Sequence, residues 1–201
     1  MFFISLHFLW FPWIFLAYNK STCCHGQPTF QPYTKLDLSL PPSAYNVYPS
    51  LLTHGGIILA LPIAFLGDFL GGKLNYIFVS LVFLVTGLGC ILLAIWEIPL
   101  PLHWACYIII SLPSHWGQPQ IFSWINRLLY QDDAKRNLVV VVTNTLAYVT
   151  NAWVPILVWN TQDKPRYFIG FVYTSILCLA GLSMTILGRY LEKKSNLRSW
   201  V

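Results

Sequence analysis

The twenty residues Ile77–Trp96 (IFVSLVFLVTGLGCILLAIW) carry no charged side chain. As a helix rising about 1.5 Å per residue, such a run spans roughly 30 Å, the hydrocarbon thickness of a bilayer. Leu138–Trp159 and Phe168–Gly188 are uncharged as well. Lipid offers no partner to a free backbone N–H or C=O, so every crossing segment must be helical. The sequence therefore predicts an all-α, polytopic membrane protein.

Composition supports that class. Only 9% of residues are charged and 56% are hydrophobic, against about 25% charge in soluble domains. The length of 201 residues suits six spans joined by mostly short loops, with no soluble domain. The formal charge of +5 is read as basic residues marking cytoplasmic loops. No basic stripe interleaves with aromatics, so no nucleic-acid partner is expected.

Six segments are predicted to cross: Phe2–Ala17, Tyr48–Leu70, Leu74–Trp96, His103–Trp124, Leu138–Trp159 and Phe168–Tyr190. Residues 1–17 form a short first transmembrane helix, 18–47 an extramembrane loop, 48–190 five further transmembrane helices and 191–201 a cytoplasmic tail. Phe2–Ala17 lacks the basic start and small-residue cleavage site of a signal peptide, so it reads as a span. It reaches only about 24 Å, and Met1 is expected to sit partway into a once longer helix. The loop Tyr18–Ala44, rich in Pro, Ser, Thr and Gln, is expected to hold little regular structure.

Lys and Arg set the orientation. With the N-terminus inside, the cytoplasmic side holds Lys73, Arg127, Lys135, Arg136, Arg189, Lys193, Lys194 and Arg198. The outer side holds Lys20, Lys35, Lys164 and Arg166. That asymmetry places both termini in the cytoplasm. Trp96, Trp104, Trp124, Trp159 and Trp200 fall near span ends, as an interfacial belt would place them. The five cysteines supply no zinc spacing: Cys90, Cys106 and Cys178 lie within spans as small apolar residues, and Cys23 and Cys24 are adjacent in the loop.

Three stretches carry candidate chemistry. The first is Gly67-Asp68-Phe69-Leu70-Gly71-Gly72-Lys73, a cytoplasmic turn. It is similar to the G-x-x-x-D-x-x-G-x-[RK] loop of the major facilitator superfamily, and this resemblance makes Gly67, Asp68, Gly71 and Lys73 a candidate gating loop. The bland reading is a Gly-rich turn with solvated charges. The second lies in the fourth span, where Pro113 and Pro119 interrupt the backbone ladder and predict a bend. Ser111, His115, Gln118 and Phe122 share a face there. A polar stripe inside a span faces a cavity or a neighbouring helix. The third is Asn144, Tyr148 and Asn151 on one face of the fifth span, where packing against a neighbour is the bland use. His54 and His103 read as interfacial or hydrogen-bonded. No nucleophile elbow, phosphate loop, HExxH or paired carboxylates occur, so neither an enzyme nor a cofactor is expected.

The run Asp132–Gly170 carries a more specific pattern: Arg136, Asn144, Ala152-Trp153, Pro155, Asp163, Pro165-Arg166-Tyr167 and Gly170. It resembles the stretch around the eleventh helix of fungal anion:cation symporters of the major facilitator superfamily, a group that includes allantoate and pantothenate permeases. Tyr45–Ser50 looks like the segment that opens the eighth helix there. The resemblance covers about residues 45–190. It implies a C-terminal-type six-helix bundle, half of a twelve-helix fold, with substrate held between two halves near the bilayer midplane. The chain is then a half-length transporter of small organic anions such as allantoate or vitamin carboxylates, coupled to a proton. Its partners are the lipid bilayer and a second six-helix half, either another chain or a copy of itself. His115, Trp116, Gln118, Asn144 and Tyr148 form the candidate substrate wall. The plasma membrane is the expected location, with the endoplasmic reticulum the alternative for a truncated chain. The competing reading is a non-transporting remnant or a membrane partner of a full-length permease.

Overall fold

The computed structural model describes residues 27–70, 74–130 and 133–198. The predicted first span Phe2–Ala17, the Cys23–Cys24 pair, and Gly71 and Lys73 of the gating loop lie outside them. Among the described residues the regular structure is helical: α1 Gln27–Leu36, α2 Pro42–Phe69, α3 Asn75–Ile95, α4 Leu100–Leu128, α5 Asp133–Val158 and α6 Phe168–Arg198, with a single 3-10 turn at Thr161–Asp163. Prolines punctuate two of the starts. Pro41 and Pro99 hold the extended backbone preceding α2 and α4, where a missing N–H costs the helix nothing.

Four helices are long and apolar enough to cross a membrane: α2, α3, the Arg136–Val158 part of α5 and the Phe168–Tyr190 part of α6. Helix α4 has the length, at 29 residues, without the composition. Ser111, Ser114, His115, Gln118 and Gln120 dilute its apolar content. Its neighbours explain how it tolerates them: α4 lies between α2 and α3, so much of its polar surface meets protein.

Helix α3 is the spine of the bundle, packed along α4 on one flank and α6 on the other. It buries Val79, Val82, Phe83, Cys90 and Leu93. One core cluster joins Val79 and Phe83 to Ile121, Trp124, Ile125 and Cys178. Gly181 of α6 lets this cluster close, because a Cβ there would lie 2.8 Å from Phe83 Cδ1. Trp124 is fully buried in this cluster, which corrects its predicted place in an interfacial belt. Cys90, Cys106 and Cys178 are buried, as small apolar residues should be.

Helix α5 packs only lightly on α4 and α6. It buries Thr143, Ala147 and Val154 and leaves Leu138, Val141, Val149, Ile156 and Leu157 exposed. The apolar outer face is what a lipid-facing helix needs.

The region expected to lack regular structure contains α1. Phe30 and Tyr33, three residues apart on one face, are 0% and 3% exposed. They dock on Trp104, Tyr107, His103 and Trp96. Burial of two aromatic rings, each worth roughly 1.5–3 kcal/mol, offsets the weak helix propensity of a polar, proline-containing segment. Helix α2 likewise begins at Pro42, earlier than the predicted Tyr48.

Candidate functional site

Helix α4 organises the candidate site. Pro113 and Pro119 sit inside an unbroken helix. Proline has no N–H to return, so the carbonyls of Ile109 and His115 lose their usual intrahelical donors. Beside this weakened ladder the side chains bond inward. Ser114 Oγ donates to the Ser111 carbonyl at 2.6 Å. His115 Nδ1 lies 3.1 Å from the same carbonyl, and the N–H tautomer at Nδ1 satisfies it, which leaves Nε2 as the acceptor.

His115 points at α2. A Cβ added to Gly56 would lie 2.8 Å from His115 Cγ, so the imidazole occupies the notch that the glycine leaves. Gln118 is half-buried, and Trp116 is buried with its indole N–H unpartnered among the described residues. Of the predicted stripe, His115 therefore contacts α2.

The gating-loop residues meet α4 further along. A Cβ on Gly67 would lie 2.8 Å from Gln120 Oε1 and 3.2 Å from Asn75 Oδ1. Gln120 Nε2 donates to the Ile63 carbonyl at 3.2 Å. Asn75 Nδ2 donates to Ser123 Oγ at 3.1 Å, and Ser123 Oγ approaches Asp68 Oδ1 at 3.4 Å. The end of α2, the start of α3 and the later turns of α4 thus share one polar node. Asn75 and Gln120 are 0% and 2% exposed, and their amide oxygens have no hydrogen-bond partner among the described residues. Both oxygens lie against the side of Gly67 where a Cβ would stand.

A second cluster lies at the same end of the bundle. Glu192 of α6, its side chain 8% exposed, pairs with Arg127 of α4 at 3.5 Å and Arg189 at 2.8 Å. Arg189 also covers the Tyr76 ring at 4.6 Å. The opposite end is aromatic. Trp159 packs on Tyr167 and Phe171, and Arg166 stacks over Trp96 at 5.9 Å. Burial pushes the Tyr167 phenol up, with Asp163 adding to the effect; burial and then Asp37 do the same for Tyr33. Both rings stay neutral.

The α5 residues of the predicted wall stand apart. Tyr148 is 60% exposed and Asn144 is half-buried. At about 100° per residue, Tyr148 lies across the helix from buried Thr143, Ala147 and Val154. The structure therefore brings His115 against α2 and Gly67 against α4, and leaves Tyr148 outside the bundle's packed face. Sequence reasoning missed Asn75, Ser123 and Gln120 as members of the Gly67–Asp68 site. A polar side chain one turn beyond a charged turn was the available signal. Among the described residues no three His, Cys, Asp or Glu side chains are grouped to hold a metal.

The sequence is similar to two curated relatives. The chain is 27% identical over 137 residues to a pantothenate transporter of Schizosaccharomyces pombe, a match covering 68% of this chain and 26% of that protein. It is 26% identical over 104 residues to a vitamin H transporter of Saccharomyces cerevisiae, covering 52% of this chain and 17% of that protein. The matched stretches thus span about a quarter and about a sixth of these relatives' lengths. No family model matches the sequence, and no solved structure matches it.

Proposed function

We propose that this chain forms a six-helix half of a membrane transporter for small organic anions of the vitamin-carboxylate or allantoate type, coupled to a proton. The observation that carries the reading is the similarity to pantothenate and vitamin H transporters over 68% and 52% of the chain. Four membrane-length helices agree with it. In this reading α2 to α6 are the last five spans, and Phe2–Ala17 is the first.

Transport by such a half requires a second bundle, and the substrate lies between the two. His115, Trp116 and Gln118 of α4 and Asn144 and Tyr148 of α5 are the proposed wall. The exposure of Tyr148 suits a residue that meets a second bundle. The node of Gly67, Asp68, Asn75, Gln120 and Ser123 is the proposed gate, completed by Gly71 and Lys73. It holds α2, α3 and α4 together at one end, and its hydrogen bonds must loosen when that end opens. His115, with Nε2 as acceptor, is the candidate proton carrier.

The test is uptake of labelled pantothenate, biotin and allantoate into vesicles that contain this chain together with the N-terminal half of a relative. Saturable uptake that rises with an imposed proton gradient supports the reading. Uptake equal to that of empty vesicles for the whole panel would refute it.

A further inference from the structure

We propose that α1 is a detachable clasp on the aromatic end of α4, and that undocking it uncovers the aromatic face of the first two turns of α4. The clasp has an anchor, a rim, a hinge and a reason to release.

The anchor is apolar. Phe30 lies 5.3 Å from the Trp104 ring and 4.9 Å from Tyr107. Tyr33 stacks on His103 at 5.1 Å with an interplanar angle of 18°, and meets Tyr107 at 5.1 Å and Trp96 at 5.8 Å. The buried Thr34 hydroxyl bonds back to its own helix, to the carbonyls of Phe30 and Gln31 at 3.1 and 3.0 Å. Neither of these bonds reaches α4, so undocking breaks no bond of the Thr34 hydroxyl to that helix. The polar end of α4 is different, since Gln120, Ser123 and Arg127 hold it with directional bonds.

The rim is weak. Gln31 Nε2 donates to Asn46 Oδ1 at 2.9 Å in an exposed bond, and Lys35 sits 5.7 Å above the Tyr45 ring. Both contacts are to the first turns of α2, and solvent competes with both. The ten-residue α1 with Pro32 inside it is too short to persist as a helix alone. Its order depends on docking, which makes it a low-stability unit able to open without the bundle.

The hinge is the connector to α2. Ser39 has φ of 48°, in the left-handed region that a side-chain-bearing residue adopts at a cost. Pro41 then fixes the chain into α2. Undocking removes the constraint that holds Ser39 in that conformation.

The reason to release lies underneath. His103 is 6% exposed, and its Nε2 is buried without a hydrogen-bond partner among the described residues. A buried, unpaired ring nitrogen opposes the closed state, and Tyr33 covers one face of that ring. Ten residues further on, Pro113 interrupts the ladder of α4. The uncovered turns lie between the start of α4 and that break in the ladder. This use of the clasp in gating rests on the transport reading; the clasp itself does not.

Amide hydrogen exchange on the full chain in lipid nanodiscs, without substrate, tests it. The amides of Phe30–Leu36 should exchange at least about tenfold faster than those of Val79–Leu93, as local opening requires. Phe30→Ala should speed exchange in α1 and in His103–Tyr107 by a further tenfold or about that, since each tenfold needs only part of a buried phenyl's transfer energy. It should leave exchange at Gln120–Arg127 unchanged. A short thiol cross-link between Gln31→Cys and Asn46→Cys, with Cys23 and Cys24 replaced by Ser, should slow α1 and His103–Tyr107 together. Exchange of α1 no faster than that of Val79–Leu93, or a Phe30→Ala effect spread evenly over the bundle, would show a fixed structural brace and overturn the proposal. Neither result depends on whether the chain transports anything.

Discussion

The His115 imidazole fills the space that a side chain at Gly56 would occupy, with Cγ 2.8 Å from the position of a Cβ there. The pair sets how closely α2 approaches α4. Alanine at position 56 gains up to about 1 kcal/mol of helix propensity over glycine. Overpacking costs about 1–3 kcal/mol, so the clash wins. Gly56→Ala should lower the thermal midpoint of the purified protein. Adding His115→Ala removes the clashing ring, so the double variant should be more stable than the two single losses predict. A coupling below about 0.5 kcal/mol in that cycle would mean that the two residues do not touch.

The node at the other end of α4 predicts an order of effects. Ser123 links buried Asn75 to exposed Asp68. Ser123→Ala leaves a donor of Asn75 unpaired inside the bundle, at a cost of about 1–3 kcal/mol. Asp68→Asn alters a 3.4 Å contact that solvent reaches, and should cost under about 1 kcal/mol. Chemical denaturation of both variants gives the comparison. A larger loss in Asp68→Asn than in Ser123→Ala would contradict the geometry.

Glu192 answers two arginines. Its side chain is 8% exposed, while those of Arg127 and Arg189 are 32% and 40% exposed. Glu192→Gln removes the anion and leaves both cations partly wetted, so the loss should stay near 1–3 kcal/mol. The exposed side of the cluster also makes it sensitive to salt. The gap in thermal midpoint between the wild-type chain and Glu192→Gln should narrow between about 0.1 and 1 M salt. A gap that is unchanged or wider at high salt would show that Glu192 acts through packing and not charge.

The long helices were legible in the sequence because lipid-crossing segments need uninterrupted apolar runs, and α2, α3, α5 and α6 have them. Their ends were less so. Helix α2 begins six residues before the predicted span because Pro42 to Val47 can be helical without being apolar. Helix α1 escaped entirely: a polar segment with a proline carries no periodic signal, and its order comes from ring pockets on α4 that only the fold assembles. The face of α4 bearing His115 followed from spacing. Its partner Gly56 did not, because a glycine in an apolar run gives no sign of what approaches it. Trp124 sits at a predicted span end by position, yet the extra turn of α4 to Leu128 carries it into the core. Asn144 and Tyr148 share a face by spacing, but spacing alone does not say which way that face turns.

The last prediction concerns the chain acting alone. Ile58, Leu61, Phe65 and Phe69 of α2 are 68%, 68%, 74% and 77% exposed, and Tyr148 and Trp153 of α5 are 60% and 53% exposed. Lipid covers aliphatic side chains well, but an exposed indole favours a partner for its N–H. In the proposed function these faces border a second bundle, and alternating access needs two bundles moving about one site. Vesicles containing only this chain should therefore show no concentrative uptake of labelled pantothenate, biotin or allantoate. Adding the N-terminal half of a relative should restore it, and His115→Ala should remove it again. Saturable uptake against a gradient by the chain alone would show that it supplies its own second half, and cross-linked dimers of this chain in the same vesicles would identify that half as a copy of itself.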